Sequence, residues 1–198
     1  MITSISKYGG FYIGRYELSG TVTEPTEKPG KTLTNTNWYN LYNACRSSKL
    51  QASDKVKTQM IWGIQWDVAC DFIANKGDQK NITDSRTWGN YSNSEGDAKV
   101  IVTENGTETE KYGSKQNTGY SEYWKANNIY DLAGNVSEWT QEANITQNRA
   151  TRGSYYDNSG SVYPASDRGY DCPHSTGFNG YLRFSSHFNN KVALNARA

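Results

Sequence analysis

The sequence is short of the side chains on which most catalytic and metal-binding chemistry depends. Its 198 residues include two histidines, His174 and His187, and three cysteines, Cys45, Cys70 and Cys172. Three widely spaced cysteines make neither a disulfide framework nor a zinc motif. Charge of one sign is lacking as well. The formal net charge is +1 and no basic cluster stands out, which argues against nucleic acid or an anionic membrane as partner. No apolar run is long enough to span a bilayer. The opening stretch MITSISKYGGFYIGRYELSG has no apolar h-region and does not read as a signal peptide. The expected location is therefore the cytoplasm, a surface reached without a Sec signal, or a particle assembled inside the cell.

Glycine (18 residues), Tyr (15) and Trp (6) are plentiful. That composition suits one loop-rich β or α+β domain over 1–198 rather than a helical bundle. Tyr and Trp serve either as core or as contact residues that offer large area at low entropic cost. Aromatic and branched residues alternate with Gly and charge over 8–18, which predicts a first strand, and 20–36 reads as a loop. Trp38, Leu41, Tyr42 and Cys45 fall at i, i+3, i+4, i+7, predicting a helix over 37–48. Trp66, Ala69, Cys70 and Ile73 repeat the spacing, with Lys76-Gly77 as the stop. Both Cys45 and Cys70 sit on buried stripes, where a thiol acts as a small hydrophobe. Residues 77–122 are polar and aperiodic, either a long ordered excursion or a partly mobile one, with a hairpin around Asn105-Gly106. From 129 the pattern is strand, Gly-Asn turn, strand. RATRGSYYD and GYLRFSSHF then read as strands flanking a loop. No internal repeat or low-complexity tail is evident.

The most specific stretch is Tyr130 to Thr140, YDLAGNVSEWT. Gly134-Asn135 suits a turn with positive φ; Val136 and Trp139 can bury, and Glu138 can accept backbone hydrogen bonds. The stretch resembles the YDMAGNVWEWT signature of the formylglycine-generating enzyme family. GGFYIGRYEL resembles that family's opening strand, NWYNLYNACRS and IQWDVACDFI its two helices, RATRGSYY its RVLRGGSW strand and YLRF its closing GFR. RGSYY has one Gly fewer, and YLRF carries an insertion. The resemblance covers most of the chain and is weakest over 77–122. It implies an α+β domain with the C-type lectin fold: two helices, irregular twisted antiparallel sheets and long loops.

The family's enzymes resemble copper-dependent oxidases that hold the metal with two cysteines shortly after the RGGSW-like strand, as soft thiolates suit Cu(I). Here that region reads SYYDNSGSVYPASDR and contains no cysteine. Relatives with three-His iron sites are not matched either, since only two His exist. No catalytic residue and no metal ligand is therefore assigned. The resemblance allows a structural calcium ion near Asn135 and Glu138, with oxygen ligands. Cys172 and His174, two residues apart across Pro173, resemble a nucleophile with its base, with Asp171 as orienting group. A hydrolytic dyad also needs an oxyanion donor, and the alternative is two exposed loop residues.

The same fold is used by proteins that resemble the variable proteins of diversity-generating retroelements. In these the diversified positions lie between the RGGSW-like and GFR-like strands and arise from AAC or AAT codons. Such codons cannot become Lys, Glu, Gln, Met or Trp. From Gly153 to Leu182 none of those five occurs, whereas they fill 38 of the other 168 positions. At that frequency a 30-residue gap has a chance of roughly one in two thousand. Glycine-rich loops are also poor in long side chains, but the gap favours the variable-protein type. The expectation is a non-catalytic binding domain of a phage, prophage or bacterium, on a virion tail or cell surface, with a protein or glycan receptor as partner and homo-oligomeric display. A metal-dependent oxidase or an invariant virion structural domain are the alternatives. The expected contact residues are Tyr155, Asp157, Asn158, Val162, Tyr163, Asp167, Tyr170, Asp171, Cys172, His174, Ser175, Thr176, Phe178, Asn179 and Tyr181. Tyr156 and Phe184 are the expected core members of this region.

Overall fold

The computed structural model describes residues 10–51, 56–145, 147–176, 188–189 and 192–196. Both predicted helices form. In α1 (Trp38–Cys45) the side chain of Asn37 accepts the Asn40 N–H at 3.0 Å, and Trp38, Leu41, Ala44 and Cys45 are buried. The helix ends before the expected position 48. The N–H groups of Arg46 and Ser47 bond back to Asn43 and Ala44, and Ser47 then caps a separate 3-10 turn, Ser48–Leu50. Helix α2 (Gly63–Asn75) starts where the Trp62 N–H meets the Gln65 side chain at 2.9 Å. It closes where the N–H groups of Lys76 and Gly77 share the Phe72 carbonyl, the expected stop. Its buried stripe includes Trp66, Cys70 and Ile73, each large side chain contributing about 1.5–3 kcal/mol by leaving water.

Two sheets frame the helices. Strands β1 (Tyr12–Ile13), β4 (Val56–Met60) and β13 (Val192–Ala196) form an antiparallel sheet with β13 in the middle, so the first and last described strands pair. The strand expected over 8–18 is shorter than foreseen. After β1 the chain turns into β2 (Ser19–Gly20), which pairs with β3 (Pro25–Thr26). The polar excursion is ordered. It carries the expected hairpin, β5 (Ile101–Glu104) with β6 (Thr107–Glu110), around Asn105 and Gly106 at φ 51° and 78°. A tight pair, β7 (Lys125–Ala126) and β8 (Ile129–Tyr130), leads into the Gly-Asn turn. The second sheet has the order β11 (Arg168–Asp171), β10 (Arg149–Arg152), β9 (Ser137–Trp139), β12 (Phe188–Asn189). Its pairings are antiparallel except β9 with β12, which is parallel.

The core falls into two clusters. One gathers Trp66, Cys70, Ile73, Trp88, Tyr91 and Leu132; the other gathers Leu18, Trp38, Leu41, Cys45, Met60 and Trp139. A buried indole needs an acceptor for its N–H. Trp38 donates to the carbonyl of Thr140, Trp66 to Ala165, Trp88 to Asn81 and Trp124 to Ala98, all at 2.8–2.9 Å. The Trp38 and Trp66 bonds join residues about a hundred positions apart and the Trp124 bond spans 26 positions, so these aromatics also fix the paths of the loops. No described helix is long and apolar enough to cross a membrane.

Candidate ligand-binding site

Residues 130–140 are all buried, and the turn at their centre organises the site. Gly134 and Asn135 have φ of 76° and 57°. A Cβ on Gly134 would lie 2.0 Å from the Asn90 carbonyl oxygen, so only glycine allows that approach. The Asn135 side chain links three segments. Its Oδ1 accepts from Asn90 Nδ2 (3.1 Å) and the Gln116 N–H (3.0 Å), and its Nδ2 donates to Glu17 Oε2 (3.0 Å). Asp131 Oδ2 accepts from the Thr118 hydroxyl and the Gly119 N–H, both at 2.9 Å. Val136 and Trp139 are fully buried, as expected, and so is Glu138.

The turn also holds the start of the segment that lacks Lys, Glu, Gln, Met and Trp. The Gly134 N–H donates to the Gly153 carbonyl at 2.8 Å, and the Tyr156 N–H to the Asn135 carbonyl at 3.1 Å. The Tyr91 hydroxyl adds a second donor to Gly153, at 3.0 Å. Further along, the excursion takes over. Ser92 donates its N–H and hydroxyl to the Asn158 carbonyl, and Asn93 Oδ1 accepts the Gly160 N–H at 2.8 Å. The Ser85 N–H reaches the Gly160 carbonyl while its hydroxyl accepts the Ala165 N–H, both at 2.9 Å. Trp66 Nε1 meets the Ala165 carbonyl, Ile82 accepts the Ser166 N–H, and the first N–H of α1, from Trp38, meets the Pro173 carbonyl at 3.1 Å. In each of these bonds the segment offers a main-chain atom. Among the described residues of the segment, side chains tied to the scaffold include Ser159, to Asn93 at 2.9 Å, Arg168, to Asp67 and Glu142, and Tyr170, to Glu142 at 3.5 Å. None of Ser85, Tyr91, Ser92 and Asn93 is identified by the sequence reading. They lie in the aperiodic stretch and act on residues more than 60 positions away.

Between this segment and the second sheet lies a cleft of about 290 Å³, lined by Ser137, Thr151, Ser154, Tyr155, Asn158, Tyr163, Asp167, Gly169, Tyr170 and Asp171. Six of the fifteen expected contact residues are thus brought together: Tyr155, Asn158, Tyr163, Asp167, Tyr170 and Asp171. Asp157, Val162, Cys172, His174 and Thr176 are exposed outside it, and Ser175 is half-buried. Phe178, Asn179, Tyr181 and the expected core residue Phe184 lie outside the described residues. The two adjacent tyrosines exchange their expected parts. Tyr155 is only 6% exposed, whereas Tyr156, expected in the core, is half-buried. Ser137, Thr151, Ser154 and Gly169 are additions to the expected set, the first two from strands outside the restricted segment. Those two are small polar residues in strands whose neighbours are bulky and buried, which was the available sequence signal.

Along β11 the side chains alternate. Arg168 and Tyr170 turn to one side, where Arg168 Nη2 meets Asp67 at 2.5 Å, Arg168 Nε meets Glu142 at 3.2 Å and the Tyr170 hydroxyl reaches Glu142 at 3.5 Å. The buried Arg152 binds the other oxygen of Asp67 at 2.6 Å. Gly169 and Asp171 face the opposite way. Burial raises the pKa of Asp171, and only the Cys172 N–H, 2.6 Å from Oδ1, opposes the shift. Burial also raises that of Asp167, offset in part by the Arg168 N–H and the Arg152 charge.

Cys172 and His174 are both exposed, and the imidazole packs on Tyr39, with ring centroids 4.8 Å apart. The His174 ring therefore rests the loop against α1. Cys45 and Cys70 lie in separate core clusters; burial raises both thiols, that of Cys70 to about 12. At the position considered for calcium, the two N–H groups on Asn135 Oδ1 occupy both its lone pairs. Among the described residues no group of three or more His, Cys, Asp or Glu is placed to hold a metal ion.

Two helices set against small, mostly antiparallel sheets, with a long loop carried over the β9–β10–β11 surface, define an α+β domain with the C-type lectin fold. No family model and no curated protein matches the chain. Among solved structures it is similar to variable protein 1 of Treponema denticola, at 14% identity over 84% of this chain and 72% of that one, with a TM-score of 0.52. PvdO from Pseudomonas aeruginosa aligns at 12% identity over 93% of this chain and 80% of that one, with a TM-score of 0.49. At such identities the first likeness is one of fold.

Proposed function

We propose that the chain is a non-catalytic ligand-binding domain whose 153–182 segment is an exchangeable recognition face. The observation that carries this reading is the way the segment is held. Over its described residues, 153–176, the course is set largely by main-chain hydrogen bonds to fixed partners, so most side chains there can change without changing the path. Its exposed side chains include types that suit recognition: Tyr163 and Tyr170 for rigid amphipathic contact, and Asp157, Ser161 and Thr176 for adaptable hydrogen bonding. The restricted residue set and the fold shared with a protein named as variable support diversification. The separation of Cys45, Cys70 and Cys172 supports a binding rather than an oxidase role. The domain would belong to a phage, prophage or bacterium and act at a virion tail or cell surface on a protein or glycan receptor. The test is the locus itself, sequenced in several isolates. Differences confined to codons 153–182, beside a reverse transcriptase gene and an adenine-rich template repeat, are expected. Differences spread evenly along the gene, with neither neighbour, would overturn the reading.

A further inference from the structure

We infer that the cleft accepts a cationic side chain, the lysine or arginine of a partner protein. This rests on the recognition reading above and narrows its ligand. The volume, about 290 Å³, is at the lower end of ligand pockets, roughly 300 Å³. It fits one long side chain rather than an oligosaccharide.

The chemistry of the wall selects charge. Its described residues include two carboxylates, Asp167 and Asp171, and no basic side chain. Asp171 Oδ1 accepts the Cys172 N–H, but Oδ2 is shielded from solvent with no donor in reach. A buried carboxylate oxygen without a donor is costly, and a ligand N–H relieves that cost. Of the neighbouring guanidinium groups, Arg168 is engaged by Asp67 and Glu142, and Arg152 binds Asp67 through Nη2 while its charge acts in part on Asp167, so Asp171 is the carboxylate left for a ligand. Tyr155 and Tyr163 add aromatic surface to the wall. Aromatic residues attract cations and cover an aliphatic stem. A sugar hydroxyl could satisfy Asp171 Oδ2 but would leave the negative charge of Asp171 without a counter-charge, whereas Asp167 is already offset in part by Arg152. Sialylated or sulfated glycans would be repelled.

The test is a titration of ¹⁵N-labelled protein with Nα-acetyl-arginine amide, Nα-acetyl-lysine amide, the neutral isostere Nα-acetyl-citrulline amide and methyl α-glucoside. Both cationic probes should shift the amide signals of Asn158, Tyr163, Gly169 and Asp171 saturably, and the two neutral probes should not. Asp167→Asn and Asp171→Asn should each weaken cationic binding by about tenfold. An asparagine at 171 keeps the acceptor for the Cys172 N–H, and melting curves report whether each variant is folded. Equal binding of the citrulline and arginine probes overturns the inference and leaves the recognition reading standing. So does cationic binding that survives both substitutions, or no binding at these amides. Conversely, even variation across the gene with cationic binding intact sinks the recognition reading and spares the cleft chemistry.

Discussion

Asp171 is a carboxylate from which the fold draws little. One oxygen accepts a single N–H from the next residue and the other accepts none, while burial raises its pKa from the ordinary aspartate value. The folded protein therefore binds this proton more tightly than the unfolded chain, whose aspartates titrate near 3.9. Protons bound in the native state exceed those in the unfolded state across that interval, so this group makes stability fall as pH rises from the unfolded value through the raised native one. Asp167 shifts the same way for the same first cause, but the Arg168 N–H and the Arg152 charge oppose it, so Asp171 gives the cleaner comparison. In Asp171→Asn that contribution to the decline disappears. Subtracting wild-type melting midpoints from those of the variant between pH 4 and 7 should give a difference that grows with pH. At neutral pH the variant should melt higher than the wild type. A drop of several degrees would make the carboxylate a structural group.

The Gly134-Asn135 turn shows why one short motif reports the fold so well. Removing the Asn135 side chain strands Asn90 Nδ2 and the Gln116 N–H without their acceptor and takes a donor from Glu17, all in a buried setting. It also places alanine at φ 57°. Asn135→Ala should cost about 3 kcal/mol in urea denaturation, and Gly134→Ala at least as much, whereas Asp157→Ala on the exposed loop should fall within about 0.5 kcal/mol. The elements that could be read from the sequence are those with a local signature. The helices show their stripes at Trp38–Cys45 and Trp66–Ile73, the hairpin shows Asn105-Gly106, and the motif shows its turn. The excursion has no such signature, because its order comes from Ser85, Ser92 and Asn93 bonding to the distant 158–165 loop. The exchange of Tyr155 and Tyr156 has a physical cause too. Gly153 and Ser154 both take positive φ, 77° and 61°, which breaks the two-residue alternation that a strand reading carries forward. The cleft was legible as a stretch of sequence but not as a wall, since Ser137 and Thr151 enter it from strands outside the restricted segment.

For the whole molecule the question is whether a stable domain can carry a changeable face. Marginal stability, typically about 5–15 kcal/mol, leaves room for change only where side chains contribute little to folding. Asp157, Val162, Tyr163, Tyr170, Cys172, His174 and Thr176 are all exposed, with Val162 at 63% and Tyr163 at 45%. At about 0.5 kcal/mol each, and roughly 1 kcal/mol at Tyr170 and His174, which touch Glu142 and Tyr39, simultaneous change at all seven would cost about 4–5 kcal/mol, which many domains survive. The main-chain bonds to Ser85, Ser92, Asn93, Tyr91, Asn135 and Trp38 remain in every such variant. A library with NNY codons at these seven positions, displayed on yeast and challenged with protease, should therefore keep most members folded. The same codons at Ser85, Tyr91, Asn93 and Asn135 should leave few survivors beyond those that restore the wild-type residue. Equal losses in the two libraries would mean that the exposed side chains help to hold the loop, and that the separation between a fixed main chain and exchangeable side chains does not exist in this protein.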